Sequence, residues 1–458
     1  MPNFSEMTLT QLVRPEGYQC ACGKCHVCAL KYLNIGRGIL NEVPKMIAAM
    51  GKTRPFVVCD GNTWEVAGRK VDAILTGAGI DHTVYVIPLE NPENERIAPA
   101  EWEVGSVLMH FDMRCDMVLA VGSGVVNDTC KVIAHAMGRP TAVVGTAPSM
   151  DGYASNSSSM ELNHVKVSLY NHGPEGILLD TEILAQAPMR MLQAGFGDMV
   201  AKYVAICEWR ISHLVTGEYY CEDVAELMRS ALRKMMAVAD RIPQRDPDAI
   251  QAIVEGLVLA GVDMAYAEMS RPASGLEHYF SHMWEMMALE RGVPYDLHGI
   301  QVGVGTVLTM KIYQTILSEV TPDPAVAQAH MDAFDGREWE NNVRRIFGKT
   351  GEQIVAIEAK FRKNDPEGHA RRFERIRAHW DEIVAIIREE LPDFDSLYRT
   401  MQKTGMPMMP ADLNISRQDV IDAFVGSREI RDKYIASSLL WDLGQTDKAL
   451  RTLEEFIG

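Results

Sequence analysis

The sequence predicts an α/β half followed by an all-helical half. Up to residue 180, short apolar runs alternate with stretches of helical periodicity, the pattern of a parallel sheet with crossover helices. From Thr181 onward nearly everything reads helical. The 458 residues, 47% hydrophobic and 23% charged, describe an ordinary globular chain with room for two or three domains. The expected division is a cysteine-rich segment (1–30), an α/β domain (31–180) and an all-helical domain (181–458). A small-molecule site is expected where the two large domains meet.

Taken in order, the chain first places Cys20, Cys22, Cys25 and Cys28 around His26. In a reducing compartment such cysteines are thiols or metal ligands. The stretch reads either as a cysteine-rich surface loop or as a structural zinc site using thiolates, with His26 as a further candidate ligand. Tyr32 to Ile35 reads as the first strand, Leu40 to Met50 as a helix, and Pro55 to Cys59 as a buried strand ending at Asp60. Asp60 either accepts hydrogen bonds from an adenosine ribose and repels a 2′-phosphate, or caps the helix starting near Thr63. A helix through Val71 and Ile74, a strand at Thr83 to Ile87, a loop with Pro88, Pro92 and Pro99, and a helix to Phe111 follow.

The organising stretch comes next. Met117 to Val121 is a strand that stops at Gly122-Ser123-Gly124 and passes into a helix through Lys131, Ile133 and Met137. Glycines there let a ligand approach the backbone, and the first amides of the helix favour phosphate. The pattern differs from the dinucleotide fingerprint, with Asn127 at the third glycine position. Thr141 to Val144, a second strand, ends in Gly145-Thr146-Ala147-Pro148-Ser149, followed by Asp151 and a serine-rich loop. Two strand ends thus deliver polar groups to one rim, where open parallel sheets bind ligands. Val165 to Tyr170 and Gly176 to Leu179 read as the last strands, a hairpin over the sheet edge.

Three places in the helical half carry metal-type chemistry. Asp198, in Gly195-Phe196-Gly197-Asp198, is expected just before a helix from Met199 to Trp209, where it could equally serve as a cap. His278 and His282 are four apart and share a helix face, with Tyr279 where a zinc-protease helix has glutamate. His298 precedes another helix. A carboxylate with two or three histidines is the ligand set of a catalytic divalent metal with an open position.

A formal net charge of −17 argues against nucleic acid and anionic membrane surfaces as partners. No apolar run reads as the roughly 20 residues of a membrane span, and Met1 to Glu16 lacks a signal peptide's apolar core. A cytoplasmic protein is expected. The charged region from Gly336 to Arg377 reads as a solvated helical face.

Thr146 to Ser155 (TAPSMDGYAS), together with GSGVVND, GFGDMVAKY and the paired-histidine helix in that order, resembles the sn-glycerol-1-phosphate dehydrogenases, especially the bacterial type. These belong to the iron-containing alcohol dehydrogenase and dehydroquinate synthase-like superfamily. Ser427 to Gly444 is similar to the bacterial branch. The resemblance implies that superfamily's fold and the NAD(P)-dependent, reversible reduction of dihydroxyacetone phosphate to sn-glycerol 1-phosphate. It implies Asp198, His278 and His298 as ligands of a catalytic zinc or nickel, and Asp198, His282 and Asp151 at the substrate. It also implies Gly122, Ser123, Gly124, Val125, Val126 and Asp128 at the nucleotide diphosphate, Thr146, Ser149 and Ser155 as further cofactor contacts, and Asp60 at the adenosine ribose. Homo-oligomers are common in the family. His282, Lys202 and Arg271 have suitable chemistry for the substrate phosphate. Relatives carry C-x-C-G-K-x-H, matched by Cys20, Cys22, Gly23, Lys24 and His26, while Cys25 and Cys28 are additional and leave open a second zinc on the four cysteines. The same fold would also serve a dehydrogenase of an unphosphorylated polyol such as glycerol, or a dehydroquinate synthase-like cyclase or lyase.

Overall fold

The computed structural model describes residues 3–91, 96–163 and 165–458, so Pro92 of the proline-bearing loop lies outside the described residues. Two compact units are formed: Met1–Met199 with Glu222–Ser270, and Val200–Cys221 with Arg271–Gly458.

The first unit is built on a six-stranded sheet. Its strands are β3 (Tyr32–Gly36), β4 (Pro55–Asp60), β5 (Thr83–Ile87), β6 (Met117–Gly122), β7 (Thr141–Gly145) and β10 (Gly176–Asp180). Two short hairpins accompany it, β1 (Tyr18–Gln19) with β2 (Cys25–His26), and β8 (Ser157–Leu162) with β9 (Val165–Tyr170). In space the large sheet runs β3-β10-β7-β6-β4-β5, every pairing parallel. The four inner strands are almost wholly buried, because crossover helices cover both faces of a parallel sheet, and this is why they read as unbroken apolar runs. One face packs Val57, Leu119, Val121, Val144 and Leu178 against Val43, Met46, Ile47 and Leu75.

From β4 the chain turns outward to edge strand β5, then returns to lay β6 on the other side of β4 and continues through β7. The order therefore reverses between β4 and β6, and the crevice outside their carboxyl ends is the ligand position of such sheets. Asp60 ends one of these strands and Gly122 the other, and Val58 pairs with Ala120 two residues earlier on each.

Three expectations are corrected. Gly176–Asp180 is an interior parallel strand between β3 and β7, and the hairpin partner of Val165–Tyr170 is Ser157–Leu162 instead. That second segment alternates burial at Ser158 and Met160, but serine carries too little hydrophobic contrast to show the alternation, so it reads as loop. Asp198 lies inside the Met189–Val200 helix rather than before a helix. The Pro247–Ala267 helix is long and apolar enough by composition to cross a membrane, contrary to the reading that no such run exists, yet 72% of its most apolar stretch is buried within the protein. Its apolarity serves the core.

The second unit is helical among its described residues. Its centre is a pair of long helices, Leu276–Arg291 and His298–Glu319, which carry the three histidines singled out in the sequence.

Candidate functional site

Each unit carries one part of the predicted chemistry. In the first, the rim at the carboxyl ends of β4, β6 and β7 assembles the nucleotide-type residues. The Gly124–Ala136 helix starts directly after Ser123, whose side chain makes no cap bond to it. The first amides of a helix favour an anion at such a start. The close turn is required by packing: a Cβ at Gly122 would stand 2.5 Å from the Val126 Cβ. Thr146 N donates to Gly122 O at 3.2 Å, joining the two strand ends, and Ser123 Oγ lies 2.8 Å from Ser149 Oγ. Asp60 accepts from Thr63 N at 2.7 Å, so the capping role is observed. One carboxylate has lone pairs for more than one donor, so capping leaves it competent to meet a ribose.

Asp128 and Ser155 are tied into the protein. Asp128 pairs with Lys131 at 2.8 Å and accepts from Ser159 N at 2.9 Å. Lys131, wholly buried, also donates to Gly152 O at 3.2 Å and to Ser157 O, which pins the loop containing Asp151. Ser155 Oγ donates to Gly152 O at 3.2 Å within that loop. Val125 is half-buried and Val126 buried in the helix's first turn, where both contribute backbone amides. Asp198, fully buried, accepts from Asp151 N at 2.9 Å, which brings the predicted carboxylate ligand to the same loop.

In the second unit the histidines converge. Ring centroids are 5.4 Å apart for His278 and His298, 5.6 Å for His282 and His298, and 6.4 Å for His278 and His282. His278 Nδ1 lies 2.9 Å from Glu277 Oε1, and His298 Nδ1 lies 3.1 Å from Glu285 Oε1 and 3.0 Å from Ser281 Oγ. A carboxylate accepts, so each Nδ1 carries the proton and each Nε2 presents a lone pair, the arrangement that holds metal-binding imidazoles. His282 is held well below the ordinary histidine range by burial, then by the nearby Arg431 and His298 charges, and is neutral at pH 7.

The donor set fits a divalent metal. Glu277 and Glu208 are both buried, and burial together with the charge of Glu277 pushes the Glu208 carboxyl up to about 8. Glu277 Oε2 has no hydrogen-bond partner among the described residues. A cation beside His278 would give the buried Glu277 carboxylate a charge partner through the imidazole that it holds. Glu277→Gln is therefore expected to keep the fold and lower metal affinity by about 10–100-fold, read by competition with a chelator. Unchanged affinity would remove Glu277 from the site.

Of the phosphate candidates, Arg271 is already committed. It pairs with Glu218 at 2.6 Å and donates to Tyr434 O at 3.0 Å and Ser212 Oγ at 3.1 Å. Lys202, also buried, donates to Ala273 O at 3.0 Å. The residues that sequence inspection missed are Glu277, Glu285 and Arg431. The two glutamates stand one residue before His278 and three after His282, a signal visible in EHYFSHMWE once the histidines are taken as ligands.

At the N-terminus the four cysteines separate. Cys20 and Cys22 gather with His26, while Cys25 is exposed with its thiol 3.8 Å from Glu16 O and Cys28 is buried. Burial raises the Cys28 thiol pKa.

The chain is similar to known proteins in sequence and in fold. Residues 34–188 match the family model described as iron-containing alcohol dehydrogenase. The chain is 33% identical to glycerol-1-phosphate dehydrogenase [NAD(P)+] of Halalkalibacterium halodurans, over 65% of this chain and 74% of that one. It is 31% identical to the protein of the same name from Bacillus licheniformis, over 74% and 85%. With that from Methanosarcina acetivorans it shares 34% over 61% and 75%. Among solved structures it is similar to a glycerol dehydrogenase from Schizosaccharomyces pombe, with TM-score 0.58, 15% identity and coverage of 93% and 91%. An NADH-dependent butanol dehydrogenase from Thermotoga maritima gives TM-score 0.56, 14% identity and coverage of 93% and 97%. These structures establish the fold, that of the iron-containing alcohol dehydrogenases.

Proposed function

The chain belongs to the glycerol-1-phosphate dehydrogenase family, and from that membership we propose that it reduces dihydroxyacetone phosphate to sn-glycerol 1-phosphate, reversibly, with NAD(P)H. It is a metal-dependent oxidoreductase. The observation that carries the substrate is the likeness to the Bacillus licheniformis protein over 74% of this chain and 85% of that one.

In this reading residues 31–180 bind the nucleotide and residues 181–458 bind metal and substrate. The amides of the Gly124–Ala136 helix, with Gly122, Ser123, Val125 and Val126, face the diphosphate. Thr146 and Ser149 line the neighbouring rim, and Asp128 and Ser155 act by fixing the loop that carries Asp151. Asp60 meets the adenosine ribose.

His278 and His298 would hold zinc or nickel, with Asp198 as the third ligand that the family resemblance implies; the metal would supply Lewis acidity at the substrate carbonyl and the nicotinamide the hydride. Neutral His282 offers one ring N–H and one lone pair, so it can relay a proton, taking one from water at the lone pair as it gives the other to the oxygen that becomes the hydroxyl. Asp151 contacts the substrate hydroxyl from a loop pinned by Lys131. Arg431, whose charge reaches His282, is a further cation for the substrate phosphate. The protein acts in the cytoplasm as a homo-oligomer.

The test is NADH oxidation by metal-stripped enzyme resupplied with zinc or nickel, comparing dihydroxyacetone phosphate with dihydroxyacetone and resolving product stereochemistry. Turnover of only the unphosphorylated ketone would replace this reading by a polyol dehydrogenase. Asp60→Ala separates the two roles of that carboxylate. It is expected to lose about 1 kcal/mol of stability with the cap and to raise the NADPH-to-NADH ratio of kcat/KM. A stability loss with an unmoved ratio would leave Asp60 a cap alone.

A further inference from the structure

The N-terminal hairpin holds a second donor cluster, far along the chain from the catalytic histidines. Cys20, Cys22 and His26 place their ligand atoms within 4.8 Å of one another. Cys22 Sγ lies 3.4 Å from His26 Nε2, and Cys20 Sγ lies 3.1 Å from Asp223 Oδ2. With metal–sulfur bonds of about 2.3 Å and metal–nitrogen bonds of about 2.0 Å, ligand atoms at neighbouring corners of a tetrahedron stand roughly 3.6 Å apart. Both separations are close to such an edge.

The backbone is shaped for the same purpose. Between β1 and β2 the chain turns through Gly23 at φ +89°, and Gly23 N donates to Cys20 O at 3.1 Å. That turn aims Cys22 N at Cys20 Sγ, 3.4 Å away, and an amide donor favours thiolate over thiol. His26, wholly buried between Phe4 and Tyr266, has Nδ1 2.8 Å from Tyr266 O. A carbonyl only accepts, so Nδ1 carries the proton and Nε2 turns its lone pair toward Cys22. This is the carbonyl support that orients metal-ligating histidines. The turn is anchored beside the cluster by Lys24, which pairs with Glu268 at 2.8 Å.

We propose that Cys20, Cys22 and His26 bind a structural zinc ion, with Asp223 at the cluster's edge as an oxygen ligand or as the acceptor that orients it. Of the ligands that the sequence offers, Cys20, Cys22 and His26 stay in the site, while Cys25 and Cys28 leave it. The ion would staple the β1–β2 hairpin to the Pro247–Ala267 helix through His26 and Tyr266, and to the Glu222–Met236 helix through Asp223. This reading is independent of the oxidoreductase reading.

The experiment uses the full chain. Metal-stripped protein is titrated with Co2+ and followed for the near-ultraviolet thiolate-to-cobalt charge-transfer band, which a site of one carboxylate and two imidazoles cannot give. The expected result is that band, retained in His278→Ala and lost in Cys22→Ser. In parallel, the unmodified protein is alkylated with and without zinc and every cysteine read by mass spectrometry. Zinc is expected to protect Cys20 and Cys22 while exposed Cys25 is labelled in both samples, and any further protected thiol would enlarge the cage. Absence of the band in unmodified protein, or equal labelling of Cys20 and Cys22 with and without zinc, would overturn the site even if Cys22→Ser failed to fold.

Discussion

Replacing His278 with alanine is expected to release the catalytic metal and lower kcat/KM for dihydroxyacetone phosphate by about 10³-fold. His278 is buried on the Leu276–Arg291 helix, its Nδ1 held by Glu277 and its ring 5.4 Å from that of His298. Losing an imidazole whose orientation is fixed in this way removes a ligand and leaves Glu277 without the ring that it orients. Lewis-acid stabilisation of a developing oxyanion contributes several kcal/mol, and each 1.36 kcal/mol is tenfold in rate, so a loss of about 4 kcal/mol gives the stated factor. His282→Ala is the matched comparison, since it sits one helical turn away on the same face. It should keep bound metal and lose activity through kcat and KM, because its assigned contacts are with substrate. Metal content measured on both proteins decides the point. Full metal occupancy in His278→Ala would remove this histidine from the ligand set.

Much of this architecture can be read from the chain because burial on both faces writes interior strands as continuous apolar runs. Pro55–Asp60, Met117–Gly122 and Thr141–Gly145 are all recognisable on that ground, as is the polar rim where they end. Partnership is harder. Nothing local in Gly176–Asp180 says that it pairs in parallel with β3 and β7, because that choice is made by crossovers many residues long. Asp198 illustrates a different failure. Flanking Gly195 and Gly197 suggest a helix boundary, yet Gly195 is inside the helix because a Cβ there would stand 1.9 Å from Pro148 O. The glycine marks a close approach between the helix and the rim loop, and a propensity argument takes it for a break. The histidines were legible through their four-residue spacing, whereas the glutamates that orient them look like ordinary helix acids until the ligand atoms are placed.

A second glycine of this kind yields the last prediction. Alanine normally stabilises a helix interior by about 1 kcal/mol over glycine. Gly305→Ala, in the middle of the His298–Glu319 helix, is expected to do the reverse. Its Cβ would lie 2.5 Å from Glu277 O and 3.2 Å from Phe280 Cβ, so the Leu276–Arg291 helix has to move away. Overpacking of this sort costs about 1–3 kcal/mol. Here the displaced backbone belongs to Glu277, whose side chain orients His278, while the displacing helix begins at His298. The strain therefore acts on the spacing of the two histidines, and metal affinity should fall together with Tm. Gly105, inside the Glu101–Met109 helix where an added Cβ would meet nothing within 4 Å, is the control, and Gly105→Ala should raise Tm. Equal gains from both substitutions would mean that the two histidine-bearing helices tolerate separation and that their close contact does not set the metal geometry. A loss confined to Gly305→Ala, accompanied by weaker metal binding, would show that the missing side chain at this position is what lets the two histidine-bearing helices approach closely enough to share an ion.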